Sequence, residues 1–201
     1  MEANGTGIRI GIVVGSTRPG RRGHAVAEWV TAAATAAHPE AEFELVDLAD
    51  FELPLLDEEV PAAAGRYARA HTLRWAEAIA RFDGFVFVTP EYNHSITGAL
   101  KNALDYLYAE WNDKAAGFVG YGMHGATRAV EHLRLILSEL KVATVRSQVA
   151  LSLHHDFTIT DPAEPGEVTP GPHQERALST LLNDVLTWSG ALAAVREGAQ
   201  R

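Results

Sequence analysis

Residues 84–108 read GFVFVTPEYNHSITGALKNALDYLY. The first six form a short aromatic and β-branched run that stops at Pro90, the pattern of a strand buried on both faces. From residue 98 to 108, Leu100, Leu104 and Leu107 recur on one side of a helix. A buried strand feeding an amphipathic helix is half of a βαβ unit, and the same unit repeats outward in both directions. Towards the N-terminus, 8–14 (IRIGIVV) is a buried strand, 25–37 an Ala-rich helix and 42–48 a more exposed strand. A loop with two prolines follows at 53–65, and the spacing predicts a helix over 66–82. Towards the C-terminus come a strand at 115–121, a helix at 127–140 and a strand at 142–151. A long loop with four prolines follows at 154–172, read as a lid or a mobile connection, and a last helix spans 174–196.

Five strands alternating with helices imply a parallel sheet covered on both faces. Right-handed crossovers then favour the flavodoxin-like order 2-1-3-4-5, an α/β three-layer sandwich. A TIM barrel needs eight such units. The chain has 201 residues, 47% of them apolar, so a single domain over 1–201 with a full core is expected. Net charge is −9 with no long basic run, which argues against a nucleic-acid partner. There is no cysteine, which excludes disulfides, iron–sulfur clusters, thiolate nucleophiles and cysteine-based zinc sites, and leaves redox chemistry to a bound cofactor. Residues 1–7 are polar and lack a signal-peptide core, and no apolar run approaches the ~20 residues that span a bilayer. A cytoplasmic protein without a membrane partner is expected.

In an open parallel sheet, ligands bind beyond the carboxyl ends of the strands near the switch in strand order. Loops of unusual composition follow strands one, three and four. After strand one comes GSTRPGRRG (15–23): glycines for tight turns, hydroxyls at Ser16 and Thr17, guanidinium groups at Arg18, Arg21 and Arg22, and Gly23 opening a helix. Such a loop suits a phosphate. It is neither a Walker loop nor a G-x-G-x-x-G fingerprint, and the plainer reading of it is a solvated basic turn. After strand three comes TPEYNHS (89–95). Here Tyr92 suits a flat ring, Asn93 can donate to and accept from a ring edge, and Ser95 is placed to cap the next helix. After strand four comes YGMHG (121–125), with Gly122 open to close approach and Met123 and His124 at the rim. His154, His155 and Asp156 offer metal-ligand types, but adjacent residues rarely converge on one ion, so no metal is expected. Tyr106, Leu107, Tyr108 and Trp111 present more aromatic surface than one helix face buries, and so predict a homodimer with the site near its interface.

These three loops together resemble the NAD(P)H-dependent FMN reductase family, which includes quinone, azo-dye and chromate reductases. The likeness runs from about residue 8 to 151, and the PEYN segment is its most specific part. The resemblance implies a flavodoxin-like fold, non-covalent FMN, NADPH or NADH as co-substrate, and homodimers or homotetramers. It implies that Ser16, Arg18, Arg21, Arg22 and Gly23 hold the FMN phosphate. Pro90, Glu91, Tyr92 and Asn93 would line the flavin ring, and Gly122, Met123 and His124 would complete the ring site. Many members carry Ser where this chain has Arg21, and a Gly-Gly pair where it has Gly122 followed by Met123, a larger side chain that would narrow or redirect the cleft. The implied reaction is ping-pong: nicotinamide delivers hydride to the flavin and leaves, and a small-molecule acceptor (a quinone, azo compound, metal ion or free flavin) takes the same face. No side chain is required as a catalyst. The alternatives are an electron carrier or flavin-sensing regulator. A hydrolase is disfavoured by the lack of G-x-S-x-G.

Overall fold

A computed structural model describes residues 7–199; residues 1–6, within the polar stretch noted above, and 200–201 lie outside the described residues. The sheet is built from β1 (Arg9–Val14), β2 (Glu42–Asp47), β3 (Gly84–Pro90), β4 (Ala115–Gly122) and β5 (Ala143–Ser152). Its order is β2-β1-β3-β4-β5 and every pairing is parallel, with Ile12 opposite Leu45 on one side and Val86 on the other. The crossovers are α1 (Gly23–Ala37), α2 (Ala70–Ala80), α3 (Gly98–Asp105) and α4 (Thr127–Glu139), and α5 (Pro172–Ala199) closes the chain.

All seven residues of β3 are buried, which is why the strand reads as an unbroken apolar run. Its side chains still alternate between two cores. Phe85 and Phe87 pack with Trp75 of α2, Leu104 of α3 and Leu133 of α4. Val86 and Val88 pack on the other face with Val26 of α1 and Leu181 of α5. The direction of the order reverses beside β1, so the carboxyl ends of β1, β3 and β4 open onto one edge. No helix among the described residues is long and apolar enough to cross a membrane.

Three expectations change. The aromatic cluster at 106–111 is not surface: Tyr106, Leu107 and Trp111 are buried, and the Trp111 ring centroid sits 5.0 Å from that of Phe85. Helix α3 ends at Asp105, and the following turn carries these rings inward to the core. The segment at 154–172 is not without structure, because β6 (Phe157–Thr158) and β7 (Glu167–Val168) pair as an antiparallel hairpin within it. Helix α2 starts at Ala70 rather than near 66, since the backbone N–H groups of Ala68 and Arg69 donate to the Glu58 carboxylate and are held outside the helix.

Candidate functional site

The loop after β1 presents open donors. Helix α1 has no side-chain cap at its N-terminus, so the N–H groups of its first turn have no protein acceptor of that kind. Arg22 is only 8% exposed, and the buried Nε atoms of Arg21 and Arg22 lack a hydrogen-bond partner. Unpaired buried guanidinium N–H groups are costly, and an anion that accepts from them removes that cost. Gly23 is required by contact: a Cβ there would lie 2.8 Å from the Tyr121 hydroxyl. A dianionic phosphate fits this donor set and this space.

Arg21 is turned partly away. Its guanidinium pairs with Asp47, the buried last residue of β2, whose other oxygen accepts from the Ala49 N–H at 3.0 Å. Part of the positive charge is thus spent joining two loops. Arg18 forms no ion pair among the described residues and stays exposed beside the same opening.

In the loop after β3, Tyr92 and Ser95 exchange backbone hydrogen bonds of 2.9 and 3.1 Å. Asn93 and His94 turn between them at φ 49° and 74°, the left-handed pair of a two-residue type I′ turn. Side chains in this region cost on the order of 1 kcal/mol each. The strained turn holds Tyr92 up at the rim, where its hydroxyl lies 3.2 Å from that of Ser16. Ser95 does not cap α3. Thr97 does, accepting from the Leu100 N–H at 3.0 Å while donating to the Gly15 carbonyl, and so fastens α3 to the loop after β1. The Ser95 hydroxyl instead pairs with His132 Nδ1 at 2.9 Å.

Glu91 points at α4. That helix starts from Ala126 in a left-handed conformation without a cap of its own. The Glu91 carboxylate accepts from the Arg128 and Ala129 N–H groups at 3.1 and 3.3 Å and pairs with the Arg128 guanidinium. Burial by itself would raise its pKa, but these donors outweigh burial and hold the carboxyl below its ordinary value. The side chain is therefore a cap for α4, and Glu91 also borders the opening.

A cavity of 180 Å³ brings the three loops together, with Arg18, Arg21 and Arg22 on one wall, Pro90, Glu91 and Tyr92 on the second, and Gly122 and Met123 on the third. Asn93 and His124 are exposed and do not line it. Two residues beyond the sequence reading do, Leu153 and Tyr121. Burial pushes the Tyr121 phenol up, with Tyr92 adding to the rise and Arg18, Ser16 and Arg22 opposing it. Tyr121 is thus a neutral donor at the cavity floor. It was missed because it reads as the end of a buried strand. Among the described residues no group of three His, Asp or Glu can hold a metal ion, and the Asp156 carboxylate is taken by the Ser152 N–H at 2.7 Å.

Residues 8–156 match the family described as NADPH-dependent FMN reductase. The chain is 39% identical to an NAD(P)H-dependent FMN reductase of Nectria sp over 147 residues, covering 69% of this chain and 73% of that one. It is 32% identical to a 2-hydroxy-1,4-benzoquinone reductase of Burkholderia sp, covering 77% and 82%. The fold is similar to that of a flavoenzyme NAD(P)H:acceptor oxidoreductase of Paracoccus denitrificans, with a TM-score of 0.70 at 23% identity over 92% of this chain and 98% of that one.

Proposed function

The chain belongs to the NADPH-dependent FMN reductase family and is an FMN-dependent NAD(P)H oxidoreductase, and from that premise we propose that its three loops divide the cofactor between them. The open N–H groups at the start of α1, with Ser16, Arg18, Arg22 and Gly23, hold the phosphate. Arg21 contributes Nε while its Nη2 stays on Asp47. The backbone of Pro90 and Glu91, the Tyr92 ring and Gly122 seat the flavin ring. Asn93 and His124 reach it only if their exposed side chains fold inward. Bound FMN supplies a reversible two-electron acceptor. The protein's part is orientation: Tyr121 and the loop N–H groups are donors in a site partly closed to water.

The observation that carries this reading is the meeting of unpaired buried guanidinium nitrogens with a strained aromatic rim in one cavity. Nicotinamide and acceptor then take turns on the open side between Tyr92 and Met123, which are 37% and 55% exposed. A quinone is the acceptor class favoured here, because it is flat enough for a cleft that Met123 narrows and because a Burkholderia relative carries that activity in its name. A homodimer remains part of the proposal, resting on other residues than the aromatic cluster: Leu55 and Leu56 are exposed apolar side chains that a second copy would cover. Light scattering that returns a monomer mass at micromolar concentration removes it.

The test is an absorbance spectrum of purified protein followed by anaerobic titration. A yellow protein bleached by NADPH or NADH and re-oxidised by a quinone over many turnovers supports the reading. A colourless protein that takes up no added FMN ends it.

A further inference from the structure

Beyond the span that matches the family, the chain folds back onto the phosphate loop. The base of this excursion is firmly held. Asp156 is buried, its carboxylate accepts from the Ser152 N–H, and its carbonyl accepts from the Thr169 N–H at 2.8 Å. Phe157 pairs with Val168 and Thr158 with Glu167, and the Phe157 ring lies 6.3 Å from that of Tyr121. The tip is also built. Asp161 Oδ1 accepts from the Ala163 N–H at 2.8 Å, and the Asp161 carbonyl from the Glu164 N–H at 3.1 Å, an Asx turn that aims two carbonyls at the loop. The Pro162 carbonyl accepts from Arg22 Nη2 at 3.4 Å. The Ala163 carbonyl comes so near Gly20, at φ +66°, that a Cβ there would lie 2.2 Å away. Arg22 is thus held by one N–H while its buried Nε stays free of any protein partner.

We propose that residues 157–168 are a clamp that positions the phosphate loop through Arg22 and Gly20, and that this clamp sets how long FMN stays bound. The proposal rests on the reading of residues 16–23 as the phosphate site. Pro162 and Ala163 are positioning residues: they touch the loop, not the cofactor. Held between a carbonyl and a phosphate, Arg22 loses little freedom on binding. Released from the clamp, it has to be ordered each time the phosphate arrives.

The clamp can be removed without touching the loop. In the first variant Asn-Gly replaces residues 159–166, which joins Thr158 to Glu167 by a type I′ turn and keeps the hairpin base. The second is Asp161→Ala, which frees the tip, and Asp161→Asn keeps the acceptor and serves as the rescue. The readouts are the FMN release rate from holoenzyme, by recovery of flavin fluorescence, and the Kd for riboflavin, which lacks the phosphate. The shortened variant should release FMN about fivefold to tenfold faster, from the loss of a charge-assisted hydrogen bond and its ordering, with riboflavin binding unchanged. Asp161→Ala should fall between, and Asp161→Asn should match the parent. Unchanged FMN release in the folded shortened variant overturns the clamp, as does equal weakening of FMN and riboflavin. If the shortened variant does not fold, equal release rates from the Asp161→Ala and parent proteins overturn it instead. A parent protein that binds riboflavin as tightly as FMN overturns the phosphate-loop reading, a separate failure.

Discussion

The Ser16 hydroxyl lies 3.2 Å from the Tyr92 hydroxyl, bridging residues 76 positions apart. This one contact joins the loop that would hold the phosphate to the loop that would hold the ring, so the two ends of the cofactor site are set by one another. Tyr92→Phe keeps the aromatic surface and cuts the link. FMN affinity should fall by about threefold to tenfold, the size of one partly buried hydrogen bond, as read by quenching of flavin fluorescence. Unchanged affinity would mean that the loops hold their spacing without it.

Arg18→Ala should weaken FMN retention by about tenfold, the loss of a hydrogen bond to a charged group, while turnover at saturating FMN stays near the parent value. Riboflavin binding should not change. If it falls as far as FMN binding does, Arg18 serves the ring and not the phosphate.

Glu91→Gln tests the helix cap. Loss of the charge at the start of α4 should lower stability by about 1 kcal/mol. Because the folded carboxyl is held below its ordinary value, its contribution is present above the unfolded pKa and fades as pH falls through the folded one. Urea midpoints of parent and variant should therefore differ at pH 7 and converge as the pH is lowered below the ordinary glutamate range.

Met123→Gly opens the rim of the cavity. The ratio kcat/KM should rise for bulky acceptors by a few fold and stay level for benzoquinone, since one flexible apolar side chain is worth roughly 1 kcal/mol in a pocket. A change that is equal for small and large acceptors would show that Met123 does not shape the cleft.

Lys114 gives a pH signature far from the site. Its Nζ donates to the Ile79 and Ala80 carbonyls at 2.8 and 3.2 Å, at the end of α2. Burial, reinforced by Arg196 and opposed by Asp83 and Glu110, pulls its pKa down to about 7. Between that value and the ordinary one the unfolded chain holds a proton that the folded chain has released, so this group makes stability rise with pH across that window. Relative to Lys114→Met, the parent protein should gain stability from pH 7 to pH 9 in urea unfolding. A constant difference between the two would mean that Lys114 stays charged in the fold.

The candidate site was partly visible in the chain. Arg18, Arg22, Tyr92 and Met123 stood out because loops of glycine, arginine and aromatics after buried strands have few structural uses. Tyr121 and Thr97 did not stand out, since each looks like an ordinary strand end or turn. Arg21 looked like one more cation until the fold brought Asp47 of β2 against it. Trp111 looked exposed because the turn that carries it inward has no periodic pattern to read.

What the sequence alone determined is the sheet and its helices. Burial on two faces makes β3 an unbroken apolar run, and one-sided burial gives α3 and α4 their leucine stripes, so each element's period records its own surroundings. The family followed too, from motifs that are contiguous in the chain. Only the tertiary structure decided how loops meet: Ser16 with Tyr92, Arg21 with Asp47, Glu91 with the start of α4, and Ala163 against Gly20. These pairs are separated by 26 to 143 residues and are brought together by the packing of separate elements. Their geometry depends on strand register and helix placement, which no local pattern of residues encodes.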